Sequence, residues 1–187
     1  MPLITFEAER HEYRDAKGVL VPSVTSILKA AGLVDDRYYT DFGRERGSAV
    51  HEATALYDRD DLDEDSIDPR IAGYLAAWRS FRVTSGFVPD SIEQIVYHQT
   101  HRYAGTFDRT GRIGERKLIV DIKTGPMLPV TGLQLAAYQQ CVVGLPDRIG
   151  VEIRADGTFR VTEFKDRLDW QVFQSALAVA KWKENKK

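Results

Sequence analysis

Two short segments of the sequence carry residue types that could do phosphoryl-transfer chemistry. Asp108 lies in segment 105–113, while Asp121 and Lys123 lie in segment 117–123. Strand signals in both segments predict two strands, and their apolar residues, such as Phe107, Ile119 and Ile122, predict a half-buried sheet. Gly114 and Glu115 between them fit a two-residue turn, so we expect an antiparallel hairpin.

The hairpin register would bring two carboxylates together. A turn at residues 114 and 115 places Asp108 opposite Asp121, and Thr106 opposite Lys123. Opposed carboxylates repel each other, so their charge has to be compensated. A divalent cation would do so, because Mg²⁺ typically uses one or two carboxylates together with substrate phosphate oxygens. Lys123 points to the same face and could neutralise charge that develops on a phosphoryl group.

The hairpin alone leaves a second interpretation open. Asp108, Asp121 and Lys123 could form a surface salt-bridge cluster, and a register slip of one residue would separate them. Glu93 lies on the preceding predicted strand. It could add a third carboxylate to the site or be an exposed strand glutamate, and both alternatives stay open.

The elements around the hairpin predict an α/β (α+β) fold with a mixed central sheet between helices. We expect one domain over residues 1–187, with a hairpin and helices in 1–86, the sheet core in 87–165 and a C-terminal helix in 166–187. The pattern predicts a hairpin over 4–21 and a solvated acidic loop over 58–68. Helices are predicted over 24–31, 36–57, 69–86 and 131–143 and after Asp166, and the second of them is in one or two pieces around Gly43 and Gly47. Strands are predicted over 91–98, 105–113, 117–123, 149–154 and 159–164.

Composition limits the classes of protein that the chain can be. The 187 residues include 26 basic and 28 acidic ones, a balance that neither indicates nor excludes a nucleic-acid binder. The single cysteine, Cys141, excludes an internal disulfide and a four-cysteine zinc or iron–sulphur site within one chain. The N-terminus has no apolar signal-peptide region, and no stretch is long enough to span a membrane. We therefore expect a cytoplasmic protein with no membrane partner.

Five motifs resemble the PD-(D/E)XK nuclease superfamily, most closely its RecB-like branch. That branch includes the RecB nuclease domain, the mitochondrial genome maintenance exonuclease and many phage exonucleases. The motifs occur in the order and roughly at the spacing of the branch. They are Pro22-Ser23-Val24-Thr25-Ser26-Ile27-Leu28, Arg46-Gly47-Ser48-Ala49-Val50-His51, Gly105-Thr106-Phe107-Asp108, Val120-Asp121-Ile122-Lys123-Thr124-Gly125 and Gln134-Leu135-Ala136-Ala137-Tyr138.

The resemblance implies a restriction-endonuclease-like core and a role for each matching residue. Asp108, Asp121, the backbone carbonyl of Ile122 and His51 would bind one or two Mg²⁺ or Mn²⁺ ions, and Lys123 would position or activate the attacking water. Gln134 and Tyr138 would orient Lys123 or contact the DNA backbone. Further DNA contacts are expected from Arg44, Arg46, Ser48, Ser23, Thr25 and Thr124. The sequence departs from many superfamily members in having Asp121 where they have glutamate.

Two of these residues have ordinary structural alternatives. His51 could be a surface histidine, although Arg44, Ser48 and His51 share a polar helix face at three- and four-residue spacing. Gln134 could close a capping box with Thr131 at the start of its own helix.

The resemblance implies a metal-dependent DNA exonuclease of recombination, repair or phage DNA processing. It would act on linear single- or double-stranded DNA, with a single-strand-annealing or single-strand-binding protein as a candidate partner. A structure-specific endonuclease on the same core is the first alternative, and a non-catalytic DNA-binding protein that retains the fold is the second. The polarity of digestion and the oligomeric state are left open.

Overall fold

The computed structural model describes residues 3–8, 10–34 and 40–186. The described helices are α1 (Val24–Ala30), α2 (Asp41–Asp58), α3 (Pro69–Ser85), α4 (Val130–Gln139) and α5 (Leu168–Glu184), with a 3₁₀ turn at Glu64–Ser66. The strands are β1 (Ile4–Glu7), β2 (Glu12–Asp15), β3 (Leu20–Val21), β4 (Val88–His98), β5 (Tyr103–Ile113), β6 (Arg116–Lys123), β7 (Asp147–Ile153) and β8 (Phe159–Phe164).

The strands form two sheets. The small N-terminal sheet has the order β1-β2-β3 and is antiparallel throughout, so the predicted hairpin has a third strand. The central sheet has the order β4-β5-β6-β7-β8 and is antiparallel except for the parallel pair β6 and β7. That parallel pair requires a crossover, which contains α4. The prediction of a mixed sheet flanked by helices is confirmed.

Apolar residues cover both faces of the central sheet. Leu118, Val120 and Ile122 of β6 pack with residues of α2 and α3, including the fully buried Trp78. On the other face, Ile119 belongs to a cluster with residues of α1, α4 and α5. Burial on both faces explains why residues 118–122 of β6 form a nearly continuous apolar run, in which the buried Asp121 is the exception.

Local sequence signals set the ends of α3 as predicted. Asp68 caps the helix by accepting a hydrogen bond from the backbone N–H of Arg70, and Pro69 takes the first helical position. Gly86 ends the helix in the left-handed conformation, at φ 69°. In contrast, α4 ends at Gln139, four residues before the predicted end at residue 143.

Helix α2 differs from the prediction at its glycines and at its C-terminal end. The helix continues without a break through Gly43 and Gly47, and Thr40 caps it by accepting a hydrogen bond from the Gly43 N–H. Residues 36–39 of the predicted helix lie outside the described residues. The predicted acidic loop is also wrong at its first residue, because Asp58 belongs to α2 and its side chain is fully buried.

Candidate metal centre

Strands β5 and β6 separate at the position of the predicted carboxylate pair. The predicted register is confirmed from Ile113↔Arg116 to Arg109↔Val120, where the pairing ends. Beyond it, the backbone N–H of Ile122 donates a 2.6 Å hydrogen bond to Oδ2 of Asp108. The predicted ladder pairs Asp108–Asp121 and Thr106–Lys123 are therefore wrong, because a side-chain carboxylate takes over the hydrogen bond of the ladder.

The side-chain alternation of β5 also changes at Asp108. Phe107 packs into the cluster that holds α1, α4 and α5, yet Arg109 contacts Trp78 and Asp58 on the opposite face of the sheet. A regular strand would place Phe107 and Arg109 on one face. The irregularity lets Asp108 reach toward α2 while it remains next to β6.

Three ligand-type side chains meet at this irregularity. His51 from α2, Glu93 from β4 and Asp108 from β5 each offer a ligand atom within 4.8 Å of the others. His51 Nδ1 lies 3.5 Å from Asp108 Oδ1 and 3.7 Å from Glu93 Oε1. The three side chains are only partly exposed, at 29%, 14% and 30% for His51, Asp108 and Glu93. This cluster can hold a metal ion, and it includes Glu93, whose participation the sequence left open.

Glu93 adopts a backbone conformation that is unusual for its residue type. It lies within β4 at φ 50°, in the left-handed region that residues with a Cβ seldom occupy. Its neighbours Ile92 and Gln94 pair with Arg109 and Phe107, on either side of Asp108. Strained residues of this kind persist where surrounding contacts hold them, and they concentrate at functional sites.

The charges of the cluster act mainly on His51. Burial alone would lower the pKa of His51, but the nearby carboxylates of Asp108 and Glu93 outweigh burial and raise it to about 9. Burial alone would raise the pKa of Glu93, but His51 and Arg109 hold it below its usual range. Without an ion, a protonated His51 therefore balances the two carboxylates, and a bound cation would take over that role.

The stability of the metal-free protein should depend on the protonation of His51. Because the pKa is raised on folding, its stabilising contribution is complete below the unfolded value and is lost as the pH rises toward 9. The free energy of unfolding should fall by at most about 3 kcal/mol over this range, because each pKa unit corresponds to about 1.4 kcal/mol and solvent screens part of the interaction. Urea unfolding in EDTA at acidic and alkaline pH measures it. A His51→Gln variant with the same pH dependence as the wild type would contradict the assignment.

Asp121 and Lys123 form a second group beside this cluster. Asp121 is 3% exposed, and Lys123 Nζ donates to its Oδ1 at 3.0 Å. Nζ also lies 2.8 Å from Oδ2, but Oδ2 accepts no hydrogen bond from any described residue and is buried. Burial, together with the charge of Asp108, raises the pKa of Asp121, and Lys123 opposes the shift. The Lys123 ammonium therefore lies against both oxygens of Asp121 and compensates the charge of this buried carboxylate.

Gln134 and Tyr138 lie together near this group, as predicted. Gln134 Nε2 donates to the Tyr138 hydroxyl at 3.4 Å, and the alternative of a capping box with Thr131 does not occur, since α4 has no side-chain cap. Tyr138 is buried, and burial raises its pKa. Its hydroxyl is therefore a neutral hydrogen-bonding group rather than an acid or base at neutral pH.

Gly105 provides the space that Tyr138 occupies. A Cβ at Gly105 would lie 2.6 Å from Cε1 and 3.0 Å from the hydroxyl of Tyr138. We expect Gly105→Ala to destabilise the fold by about 1–3 kcal/mol, because the buried ring has to move. Gly125→Ala is the matched control, since no atom lies within 4 Å of its added Cβ. Equal unfolding midpoints in urea for both variants would contradict this account.

The residues predicted to contact DNA have different surroundings. Arg46 is partly buried, with its guanidinium 5.4 Å from the Tyr74 ring and its Nη2 3.4 Å from the carbonyl oxygen of Thr124. Ser23 caps α1 by accepting from the Ser26 N–H. Arg46 and Ser23 thus have structural contacts of their own.

The other predicted DNA contacts are more accessible. Ser48 is exposed, and so is Arg44, which pairs with Asp41 at 3.2 Å. A cavity of about 310 Å³ opens beside Lys123, and Thr25, Arg44 and Gln134 also line it. Thr25, Lys123 and Gln134, which belong to three separate motifs, therefore share one cavity with Arg44.

Sequence reasoning missed the buried polar residues behind the cluster. Arg109 is fully buried, and it contacts Glu93, Asp58 and Thr54. One available signal was that Arg109 stands at the same alternate positions of its strand as the apolar residues Phe107 and Ile113. A second was the spacing of His51, Thr54 and Asp58, which puts them on one face of a helix.

The sequence was compared with models of protein families and with curated proteins, and none of them matches. Among the described residues, no helix is long and apolar enough to cross a membrane.

Proposed function

We propose that the protein is a Mg²⁺- or Mn²⁺-dependent deoxyribonuclease that hydrolyses phosphodiester bonds at the ends of linear DNA. The observation that carries the proposal is the ion pair between the buried Asp121 and the partly exposed Lys123, beside the cluster of His51, Glu93 and Asp108. Carboxylates, one imidazole and a lysine in one partly buried place are the groups that metal-assisted phosphoryl chemistry requires. A surface salt-bridge cluster would not need Asp121 to be buried.

The donor set favours a hard or borderline divalent ion. Asp108 and Glu93 supply carboxylate oxygens and His51 supplies one nitrogen, and the resemblance adds the carboxylate of Asp121, which lies outside this cluster and is paired with Lys123. Such ligands suit Mg²⁺ and Mn²⁺, whereas thiolate ligands, which select softer metals, are absent from the set. The backbone carbonyl of Ile122 would complete the site, as the family resemblance implies.

Each residue has a defined task in the proposed hydrolysis. His51, Glu93 and Asp108 would hold a divalent ion, which would supply Lewis-acid polarisation of the scissile phosphate and activation of the attacking water. Lys123, held by the Asp121 carboxylate, places a positive charge where the phosphoryl oxygens gain negative charge. Asp108 is itself fixed by the Ile122 N–H, so the two strands that hold the acidic residues keep their separation. Gln134, which donates a hydrogen bond to the Tyr138 hydroxyl, lines the cavity beside Lys123.

The DNA would reach the centre through the cavity beside Lys123. Arg44 and Lys29 contribute positive charge to its lining, and Thr25 contributes a hydroxyl group, all of which suit a phosphate backbone. Apolar residues such as Leu28 and Leu128 line the same cavity and suit the face of a base. The net charge of -2 is compatible with DNA binding, because the positive groups are concentrated in the lining of this cavity.

Membership of the PD-(D/E)XK superfamily, with a restriction-endonuclease-like core, is part of the proposal. The sequence motifs support it, and a five-stranded mixed sheet flanked by helices agrees with such a core. The preference for DNA ends, a role in recombination, repair or phage DNA processing, and a single-strand-annealing or single-strand-binding partner rest on the resemblance alone.

Degradation of end-labelled DNA tests the proposal directly. Linear single-stranded, linear double-stranded and closed circular DNA are incubated with the protein in Mg²⁺, in Mn²⁺ and in EDTA. Metal-dependent loss of the linear forms alone is the expected result. Cutting of the circle would instead support an endonuclease. DNA binding without cutting in either metal would overturn the catalytic proposal and leave a DNA-binding protein.

A further inference from the structure

The outer face of helix α5 carries large apolar side chains that the described part of the chain leaves exposed. Leu168, Val172, Val179 and Trp182 are between 41% and 62% exposed. The sequence over residues 170–180 contains no charged residue at all. The inner face of the same helix is buried against α1 and α4. A helix that is apolar on all sides is normally buried on all sides, so the outer face should have a partner.

The spacing of the exposed residues fits packing against a second helix. An alternation of four- and three-residue steps, which is the seam of a two-helix coiled coil, relates positions Leu168, Val172, Ser175, Val179 and Trp182. Ser175 and the neighbouring Ala178 are small and exposed, so a second helix can approach closely at the middle of α5. The middle of the seam offers no cation to a phosphate backbone, and DNA therefore does not fit it.

The two ends of α5 are complementary in shape. Trp182, near the C-terminal end, is 62% exposed. Beside the N-terminal turn, a cavity of about 490 Å³ opens, and Leu145, Phe164 and Trp170 are among its lining residues. Arg167 also lines this cavity, and an arginine binds well to the face of an indole ring. Each molecule thus has an exposed tryptophan at one end of the helix and a cavity with apolar walls at the other.

We propose that α5 is the contact surface of a homodimer, in which two copies of the helix pair antiparallel and each Trp182 enters the cavity of the other copy. A twofold axis near Ser175 places Trp182 of one copy opposite Leu168 of the other, since each lies seven residues from Ser175. Leu168 lies between Arg167 and Trp170, so this position is level with the cavity.

Electrostatic interactions also favour the antiparallel arrangement over a parallel one. The positive N-terminal end of each helix dipole lies beside the negative C-terminal end of the other. Arg167 and Glu184, which are both exposed, come to nearly the same level in opposite copies, so opposite charges meet at each end of the contact. In a parallel pair, each of these residues would instead face its own like charge.

Sedimentation equilibrium of the metal-free protein measures the association. Helix α5 has 17 residues and is about 25 Å long, so the contact is smaller than a standard interface of about 800 Å² per partner. We therefore expect micromolar affinity and a mass that rises from 21.2 kDa toward twice that value between about 1 µM and about 200 µM protein. Trp182→Ala should weaken dimerisation by at least about 30-fold, because a tryptophan in a pocket is a typical hot spot of an interface.

Val83→Ala is the matched control for Trp182→Ala. Val83 is 80% exposed on α3, which packs on the opposite face of the central sheet from α5. Its dimerisation should equal that of the wild type. Far-UV circular dichroism checks that both variants fold, and an exposed position in either helix contributes little to the core.

Oxidative cross-linking tests the direction of the two helices. Ser175→Cys lies at the proposed axis and should form a disulfide between copies, since cysteines can be bridged when their Cα atoms are within about 7 Å. Glu184→Cys should not, because an antiparallel pair separates the two copies of this position by more than about 20 Å. The wild-type protein shows any cross-link that forms through the native Cys141.

Three results would overturn the inference. A wild-type protein that stays monomeric at the highest concentration would leave the outer face of α5 to a different macromolecule. A dimer that persists in Trp182→Ala, or that weakens equally in Val83→Ala, would assign the contact to another surface. A cross-link through Glu184→Cys and none through Ser175→Cys would exclude the antiparallel arrangement. The metal cluster takes no part in these measurements, so they are independent of the proposed nuclease function.

Discussion

Lys123→Ala is expected to reduce metal-dependent DNA degradation by about 10²- to 10³-fold, the usual cost of removing one group that stabilises transition-state charge. Binding of Mn²⁺ should persist or become tighter, because the substitution removes a positive charge from Asp121 and leaves His51, Glu93 and Asp108 in place. Single-turnover degradation of labelled DNA and calorimetric Mn²⁺ titration measure the two effects separately.

Lys117→Ala provides the matched control for this prediction. Lys117 lies on the same strand, is exposed, and is paired with Arg112 at the far end of the ladder. Its removal changes the net charge equally and should leave the rate unchanged. A Lys123→Ala protein that degrades DNA at the wild-type rate would contradict the proposed role of the lysine, even if the protein is a nuclease.

Asp108→Asn is expected to abolish both ion binding and degradation. The variant retains an oxygen that can accept the hydrogen bond from the Ile122 N–H, so the junction of β5 and β6 should persist. It lacks the negative charge that a cation needs. We expect Mn²⁺ affinity to fall by more than about 100-fold, since even residues that only orient a metal ligand contribute about 10- to 100-fold. Calorimetry and the DNA assay at raised Mn²⁺ measure this loss.

Asp108→Asn should also change the pKa of His51 in the metal-free protein. Asp108 is the foremost cause that raises the pKa of His51, so this pKa should fall toward its ordinary value in Asp108→Asn. Titration of the His51 ring by NMR in EDTA follows the change. Asp90→Asn, at an exposed position on β4, is the control and should affect neither the pKa nor the ion affinity. Retention of wild-type Mn²⁺ binding by Asp108→Asn would contradict the assignment of the metal centre.

The sequence by itself determined the elements and most of the chemical groups. Asp68 and Pro69 act at the first turn of α3 and Gly86 acts at its end, so local backbone preferences at each end were enough to place that helix. The register next to the Gly114–Glu115 turn could be read for the same reason, because a short turn determines which residues pair beside it. The motifs around His51, Asp108, Asp121 and Lys123 likewise directed attention to residues that the fold brings close together.

Only the tertiary structure decided how those groups are arranged. The pairing of β5 and β6 ends where the Asp108 side chain replaces a backbone acceptor, and local pattern does not predict such a replacement. Whether Glu93 joins the cluster depends on Arg109 and on Asp58, which lies 35 residues before Glu93 and looked like the start of a solvated acidic loop. A charged residue can be buried only where partners meet it, and those partners come from distant parts of the chain.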